Sequence, residues 1–125
     1  NQYFISGIQN QIEQVLFNLI INSIDAIIEK SKNANDNYGE IKFYCKSDTE
    51  FLRLYIQDNG TGIPKEYLDK LFNPFFTTKQ PGQGTGLGLS ISYNIIKQHN
   101  GEIKIESEQG KGTLITIVLP VHKNH

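Results

Sequence analysis

Apolar positions recur along this chain in two rhythms. From about Ile8 to Lys30 they fall three and four residues apart, which is the spacing of a helix face. LGLSISYNIIKQH (87–99) repeats that rhythm and predicts a second helix, with Asn100-Gly101 as its stop. Elsewhere the pattern is shorter and rich in β-branched and aromatic residues. EIKFYCK (40–46) and FLRLYIQ (51–57) predict two strands joined through SDTE as a hairpin. EIKIESE (102–108) and TLITIVLP (113–120) predict another pair around GKG, and YFIS (3–6) a short strand at the start. PKEYLDKLF (64–72) predicts a short helix with Pro64 at its first position. KNANDNYG (32–39) and NPFFTTKQPGQGTG (73–86) predict loops. The order of helix, two strands, two helices and two strands predicts an α+β domain, one mixed sheet with helices on one face.

The long helix has an anomaly. Asn18, Asn22, Asp25 and Glu29 form one narrow polar stripe. Ile12, Val15, Leu16, Leu19, Ala26 and Ile27 lie on one flank of it, and Phe17, Ile20, Ile21, Ile24 and Ile28 on the other. A surface helix normally shows a wide polar face and one apolar stripe. Amides in such surroundings need partners, so the stripe faces protein polar groups, solvent in a cleft, or a ligand.

Composition narrows the classes. With 125 residues and 38% hydrophobic content, the chain suits a single domain around one core. A net charge of −1 gives no ground for general binding to nucleic acid or acidic membrane. The lone Cys45 has no partner for an internal disulfide, and its place in a strand predicts a core thiol in a reducing compartment. No apolar run approaches the roughly 20 residues a membrane span needs. There is no signal-peptide pattern and no methionine, which points to a segment of a longer chain with any membrane or sensor region outside it.

The glycines gather in three places: Gly60 and Gly62; Gly82, Gly84, Gly86 and Gly88; Gly110 and Gly112. Glycine lets backbone approach a ligand or another strand closely. GTGLGL lacks the lysine and hydroxyl residue of a Walker A loop, and Leu89 stands where a Rossmann fingerprint needs its third glycine. Backbone N–H groups at a glycine-rich helix start nevertheless suit an anion. Asp58 ends an apolar strand, where its carboxylate either accepts from a ligand amine or initiates the DNGTG turn.

The motifs in order resemble the ATP-binding catalytic domain of sensor histidine kinases, within the superfamily shared with gyrase, Hsp90 and MutL. QVLFNLIINSIDA (14–26) resembles the N box, DNGTGIP (58–64) the G1 box, LFNPFFTTK (71–79) the F box and GTGLGLSIS (84–92) the G2 box. HNGEI (99–103) and GKGTLITIVLP (110–120) resemble the usual ending. The likeness runs from about Ile8 to Pro120, so the whole of 1–125 is expected to be one catalytic and ATP-binding domain.

The resemblance implies a Bergerat-type two-layer α/β sandwich, its sheet mixed but mostly antiparallel and covered on one face by about three helices. It implies ATP and Mg²⁺ as cofactors. Asn22 matches the asparagine that holds Mg²⁺, and Asn18 lies one turn away, towards the phosphates. Asp58 matches the aspartate that reads the adenine amine. Gly60, Gly62, Ile63 and Thr113 match the surroundings of the base. Gly84, Thr85, Gly86, Leu87, Gly88 and Leu89 match the lid over the phosphates, and Phe72, Phe75 and Phe76 the rings that anchor it. ATPases of the superfamily carry a glutamate where this chain has Asn18, and an amide is no general base at neutral pH. Transfer to a protein acceptor with little hydrolysis is therefore expected.

Asp25 stands where many histidine kinases have a lysine or arginine, and the Asn-x-x-Asp-Ala form resembles a nitrogen-regulation-like subgroup. Lys79 is then the candidate cation for the γ-phosphate. No histidine here lies in a helical acceptor motif, so the acceptor is expected on an upstream dimerisation domain absent from this chain. The implied setting is a cytoplasmic domain without membrane contact of its own, in a homodimeric protein that passes phosphate to a response regulator. The other readings are a non-catalytic nucleotide-binding or partner module and an ATPase.

Overall fold

The computed structural model describes residues 4–5, 9–32, 39–71 and 88–122. The elements follow the predicted order: β1 (Phe4–Ile5), α1 (Gln9–Lys32), β2 (Ile41–Ser47), β3 (Phe51–Asp58), α2 (Lys65–Leu68), α3 (Gly88–Gln98), β4 (Glu102–Glu108) and β5 (Gly112–His122). β5 is the organising strand. One edge pairs with β3 from Thr113 to Pro120; the other pairs with β4 and then, at Val121 and His122, with β1. β2 pairs with β3 at the sheet's edge. Every described pairing is antiparallel, so the expected mixed character of the sheet has no counterpart among the described residues.

Period-two alternation decides the layers. Leu52, Leu54 and Ile56 of β3, Ile115, Ile117 and Leu119 of β5 and Ile103 of β4 are buried against Ile12, Val15 and Leu19 of α1 and Ile95 and Ile96 of α3. The same alternation carries Asp58 and Thr113 onto the helix-facing side, both buried. α3 ends in a Schellman arrangement. Asn100 takes a left-handed φ of 62°, its N–H donates to the Lys97 carbonyl at 3.0 Å, and the Gly101 N–H donates to Ile96 at 2.9 Å.

The β2–β3 hairpin is held by one side chain. Asp48 Oδ1 accepts the N–H groups of Glu50 and Phe51, both at 2.8 Å, and Oδ2 accepts from Arg53 at 3.0 Å. The Phe51 N–H, the Arg53 side chain and the Glu50 N–H together hold the Asp48 carboxyl down at about 2, against an ordinary 3.8.

Three expectations need correction, and the burial of α1 adds a finding of its own. Cys45 is exposed: β2 lies beyond the helices, only Ile41 of that strand reaches the core, and Phe43, on the same face, is 49% exposed. The helix predicted over 64–72 is a single turn, Lys65–Leu68, and Pro64, with ψ at 139°, caps it from outside the helix. The two apolar flanks of α1 are buried unequally: of the second, only Ile20 packs against the core, and Phe17, Ile21, Ile24 and Ile28 are exposed, Phe17 by 64%. Finally, Gln11–Lys32 has the length and the mean hydropathy, 1.2, to cross a membrane by those measures alone. In this fold the same helix supplies Ile12, Val15 and Leu19 to the core.

Candidate functional site

The site begins where β3 ends. Asp58 closes the buried row of that strand and stands opposite Thr113 of β5 in the ladder. Its Oδ1 accepts the Gly60 N–H at 2.9 Å, which turns the chain sharply into GTG. One oxygen starts the turn, and Oδ2, which takes no hydrogen bond from the described residues, is left for a donor.

The turn lies across the C-terminal half of α1. Thr61 N–H donates to the Ala26 carbonyl at 3.2 Å. Gly60 packs so closely on Ala26 that an added Cβ would stand 2.6 Å from the Ala26 Cβ. One turn further on, Lys30 Nζ donates to the Asn59 carbonyl at 3.0 Å. Asn59 is also tied to the start of β2, its Oδ1 accepting the Glu40 N–H at 2.8 Å. Asn22 precedes Ala26 by one turn and Asn18 precedes Asn22 by another, so the amide stripe runs away from this crossing along the same helix. Both amides are half-buried, and neither bonds to a described residue. Half-buried amides without partners among the described residues fit a polar ligand or solvent in a cleft.

The third glycine cluster locks onto the first. Gly62, at φ 72°, packs against the Glu108 carbonyl, and Gly112, at φ 134°, against the Asp58 carbonyl. Neither position has room for a side chain. Gly110 N–H donates to the Thr61 carbonyl at 2.6 Å and Ile63 N–H to Ser107 Oγ at 2.8 Å. Ser107 Oγ in turn donates to the Gly112 carbonyl at 2.9 Å and lies 2.8 Å from Thr113 Oγ1. The turn after Asp58 is thus clamped between α1 and the β4–β5 hairpin.

Asp58, Gly60, Gly62, Ile63 and Thr113 are therefore gathered around one loop crossing, while Asn22 and Asn18 lie one and two turns before it along α1. Gly88 is the first residue of α3, and Leu89 packs against the core. Phe72, Phe75, Phe76, Lys79, Gly84, Thr85, Gly86 and Leu87 lie outside the described residues. Sequence reasoning missed Lys30 and Ser107. Ser107 is the next-to-last residue of a predicted strand and reads as an ordinary turn polar group; only its partner 44 positions away reveals its role. His99 is buried, with ring Nδ1 2.7 Å from the Ile95 carbonyl, which makes it a helix-end contact.

Residues 7–123 match the model of the family described as histidine kinase-, DNA gyrase B-, and HSP90-like ATPase. Sensor kinase CckA of Brucella abortus is 43% identical over 117 residues, which cover 88% of this chain. Sporulation kinase E of Bacillus subtilis is 40% identical over 116 residues, covering 92% of it. The chain spans only 12% and 14% of the lengths of these two relatives. Among solved structures, the catalytic domain of histidine kinase ThkA aligns with a TM-score of 0.73 at 34% identity, over 91% of this chain and 69% of that one. The mycobacterial sensor histidine kinase MprB gives 0.78 at 24% identity over 98% and 80%, a likeness of fold. The order of boxes, the clamp around Asp58 and the family match over 7–123 agree: the chain belongs to the histidine kinase-, DNA gyrase B- and HSP90-like ATPase family, as the ATP-binding domain found in sensor histidine kinases.

Proposed function

We propose that this domain holds Mg·ATP beside α1 and offers its γ-phosphate to a histidine on a separate dimerisation and phosphoacceptor domain, for onward transfer to a response regulator. The observation that carries the reading is the clamp around Asp58. A buried carboxylate has one oxygen committed to Gly60 and the other open among the described residues, with Thr113 across the ladder and the half-buried amides of α1 further along the helix that the turn crosses. Asp58 accepts the adenine amine, and Thr113 supports the base.

Asn22 fits Mg²⁺ as a neutral oxygen donor without a partner among the described residues. No group of three or more His, Cys, Asp or Glu side chains among the described residues offers a protein-only cage. A cation held by few protein ligands and by substrate phosphates is the usual arrangement for Mg²⁺. When bound, it neutralises phosphate charge. Asn18 is an amide and takes no proton from water, so catalysis here is positioning and charge neutralisation. Lys79 is the proposed cation for the γ-phosphate.

The acceptor histidine lies outside 1–125, which we read as one catalytic domain. Buried His99, in contact with the Ile95 carbonyl, is unsuited to the role. In this reading the full-length protein acts as a homodimer with this domain on the cytoplasmic side, and Asp25 supports membership of a nitrogen-regulation-like subgroup.

Calorimetric titration of ATP, with and without Mg²⁺, on wild type and Asp58→Asn tests the reading. Mg²⁺-assisted binding that weakens about tenfold or more in the variant supports it, since a charge-assisted bond contributes about 1.5–3 kcal/mol. Binding indifferent to both would favour a non-catalytic module. Phosphate transfer to a supplied dimerisation domain then separates kinase from binder, and phosphate release in its absence would indicate an ATPase.

A further inference from the structure

Three hydrogen bonds meet at the Ser107 hydroxyl: the Ile63 N–H at 2.8 Å, the Gly112 carbonyl at 2.9 Å and Thr113 Oγ1 at 2.8 Å. A serine hydroxyl has one hydrogen and two lone pairs. The Ile63 N–H only donates and the Gly112 carbonyl only accepts. The serine hydrogen therefore goes to Gly112, one lone pair receives Ile63, and the other faces Thr113. The bond between the two hydroxyls is then carried by the threonine's hydrogen. Thr113 Oγ1 is left with lone pairs alone. Its cross-strand neighbour Asp58 presents a carboxylate, also an acceptor.

We infer that Ser107 is a positioning residue for base selection: by holding the Thr113 hydroxyl in an acceptor-only state beside Asp58, it makes the pair favour a purine with an amino group at C6 over one with an oxygen there. This rests on the reading of Asp58 and Thr113 as the base-contacting pair. An amino group donates to such a pair, directly or through water. A C6 oxygen meets acceptors only. Without Ser107 the Thr113 hydroxyl is free to rotate and donate, and the 6-oxo base loses its penalty.

The test is calorimetric titration of the same chain with ATP and with ITP, which differ at C6 and in the hydrogen that the 6-oxo base carries on N1; the N1 difference is common to all variants, so the change in ratio reads C6. Wild type prefers ATP. In Ser107→Ala the ATP-to-ITP affinity ratio falls about fivefold, the worth of one hydrogen bond. Ser107→Thr keeps a hydroxyl and restores the ratio. Thr113→Val removes the acceptor without touching Ser107; its ratio falls similarly, and adding Ser107→Ala lowers it no further. Thermal unfolding checks that each variant is folded, and Thr113→Val carries the test if Ser107→Ala is not. Equal weakening towards both nucleotides in Ser107→Ala overturns the inference and leaves Ser107 as a brace for the loop. An ATP affinity indifferent to Asp58→Asn overturns the base-contacting pair and the inference with it. Dependence on Asp58 with an unchanged ratio in Ser107→Ala and Thr113→Val overturns the inference alone.

Discussion

Gly112 lies against the backbone carbonyl of Asp58, with no room for a methyl group between them. The two residues belong to neighbouring strands, β5 and β3, and the contact is with the backbone that carries the Asp58 side chain. Gly112→Ala adds a clash to a backbone at φ 134° that side-chain-bearing residues rarely adopt. Stability should fall by about 1–3 kcal/mol. ATP binding should weaken beyond what partial unfolding explains. Urea melts and titration of the folded fraction measure the two effects separately. A variant with native ATP affinity would show that the contact does not position Asp58.

Asn22→Ala should abolish the gain in nucleotide affinity that Mg²⁺ brings, while binding without Mg²⁺ changes little. Lys79→Ala should slow phosphotransfer more than it weakens binding, because a cation at the γ-phosphate acts where charge moves. If both affinity and transfer survive in Lys79→Ala, another group neutralises that phosphate.

Lys30 ties α1 to the residue after Asp58 through the Asn59 carbonyl. In Lys30→Met the apolar stem stays and the charged donor goes. A cost of about 1.5 kcal/mol follows, the low end for a charge-assisted bond because Lys30 is half-exposed. The thermal midpoint should drop by a few degrees and ATP affinity should fall with it; Lys30→Arg should recover part of both.

Asp48 gives the hairpin an acid-sensitive element. Its carboxyl is held down at about 2, below its ordinary 3.8. A group depressed in the folded state contributes stability that is fully present above the unfolded value and lost as pH falls through the folded one. Asp48→Asn should therefore flatten the part of the pH–stability curve between about 4 and 2. Urea midpoints at several pH values across that window measure it, and parallel wild-type and variant curves would sink the idea.

The two apolar flanks of α1 should respond differently to truncation. Leu19 is fully buried and Phe17 is 64% exposed. Leu19→Ala should cost about 2–5 kcal/mol. Phe17→Ala should stay within about 0.5 kcal/mol and leave the fold intact. Equal losses would mean that the outer flank is packed in solution.

The order and type of the elements were legible because each rests on a local rhythm. Residues 52, 54, 56 and 58 of β3 share one face because strand alternation puts them there, and that follows from the strand alone. Asp58 and the Gly60–Gly62 turn were legible for the same reason, since a carboxylate that captures an N–H two residues on is a short-range event. Tertiary structure alone decided the rest. α1 is apolar on both sides of its amide stripe, and only docking onto β3 and α3 selects Ile12, Val15 and Leu19 for the core over Phe17 and Ile28. Cys45 alternates like a core residue yet is exposed, because its strand lies at an edge the helices do not cover. Lys30 and Ser107 find partners 29 and 44 positions away. Contacts at that range are set by strand register and helix docking, which no local pattern carries.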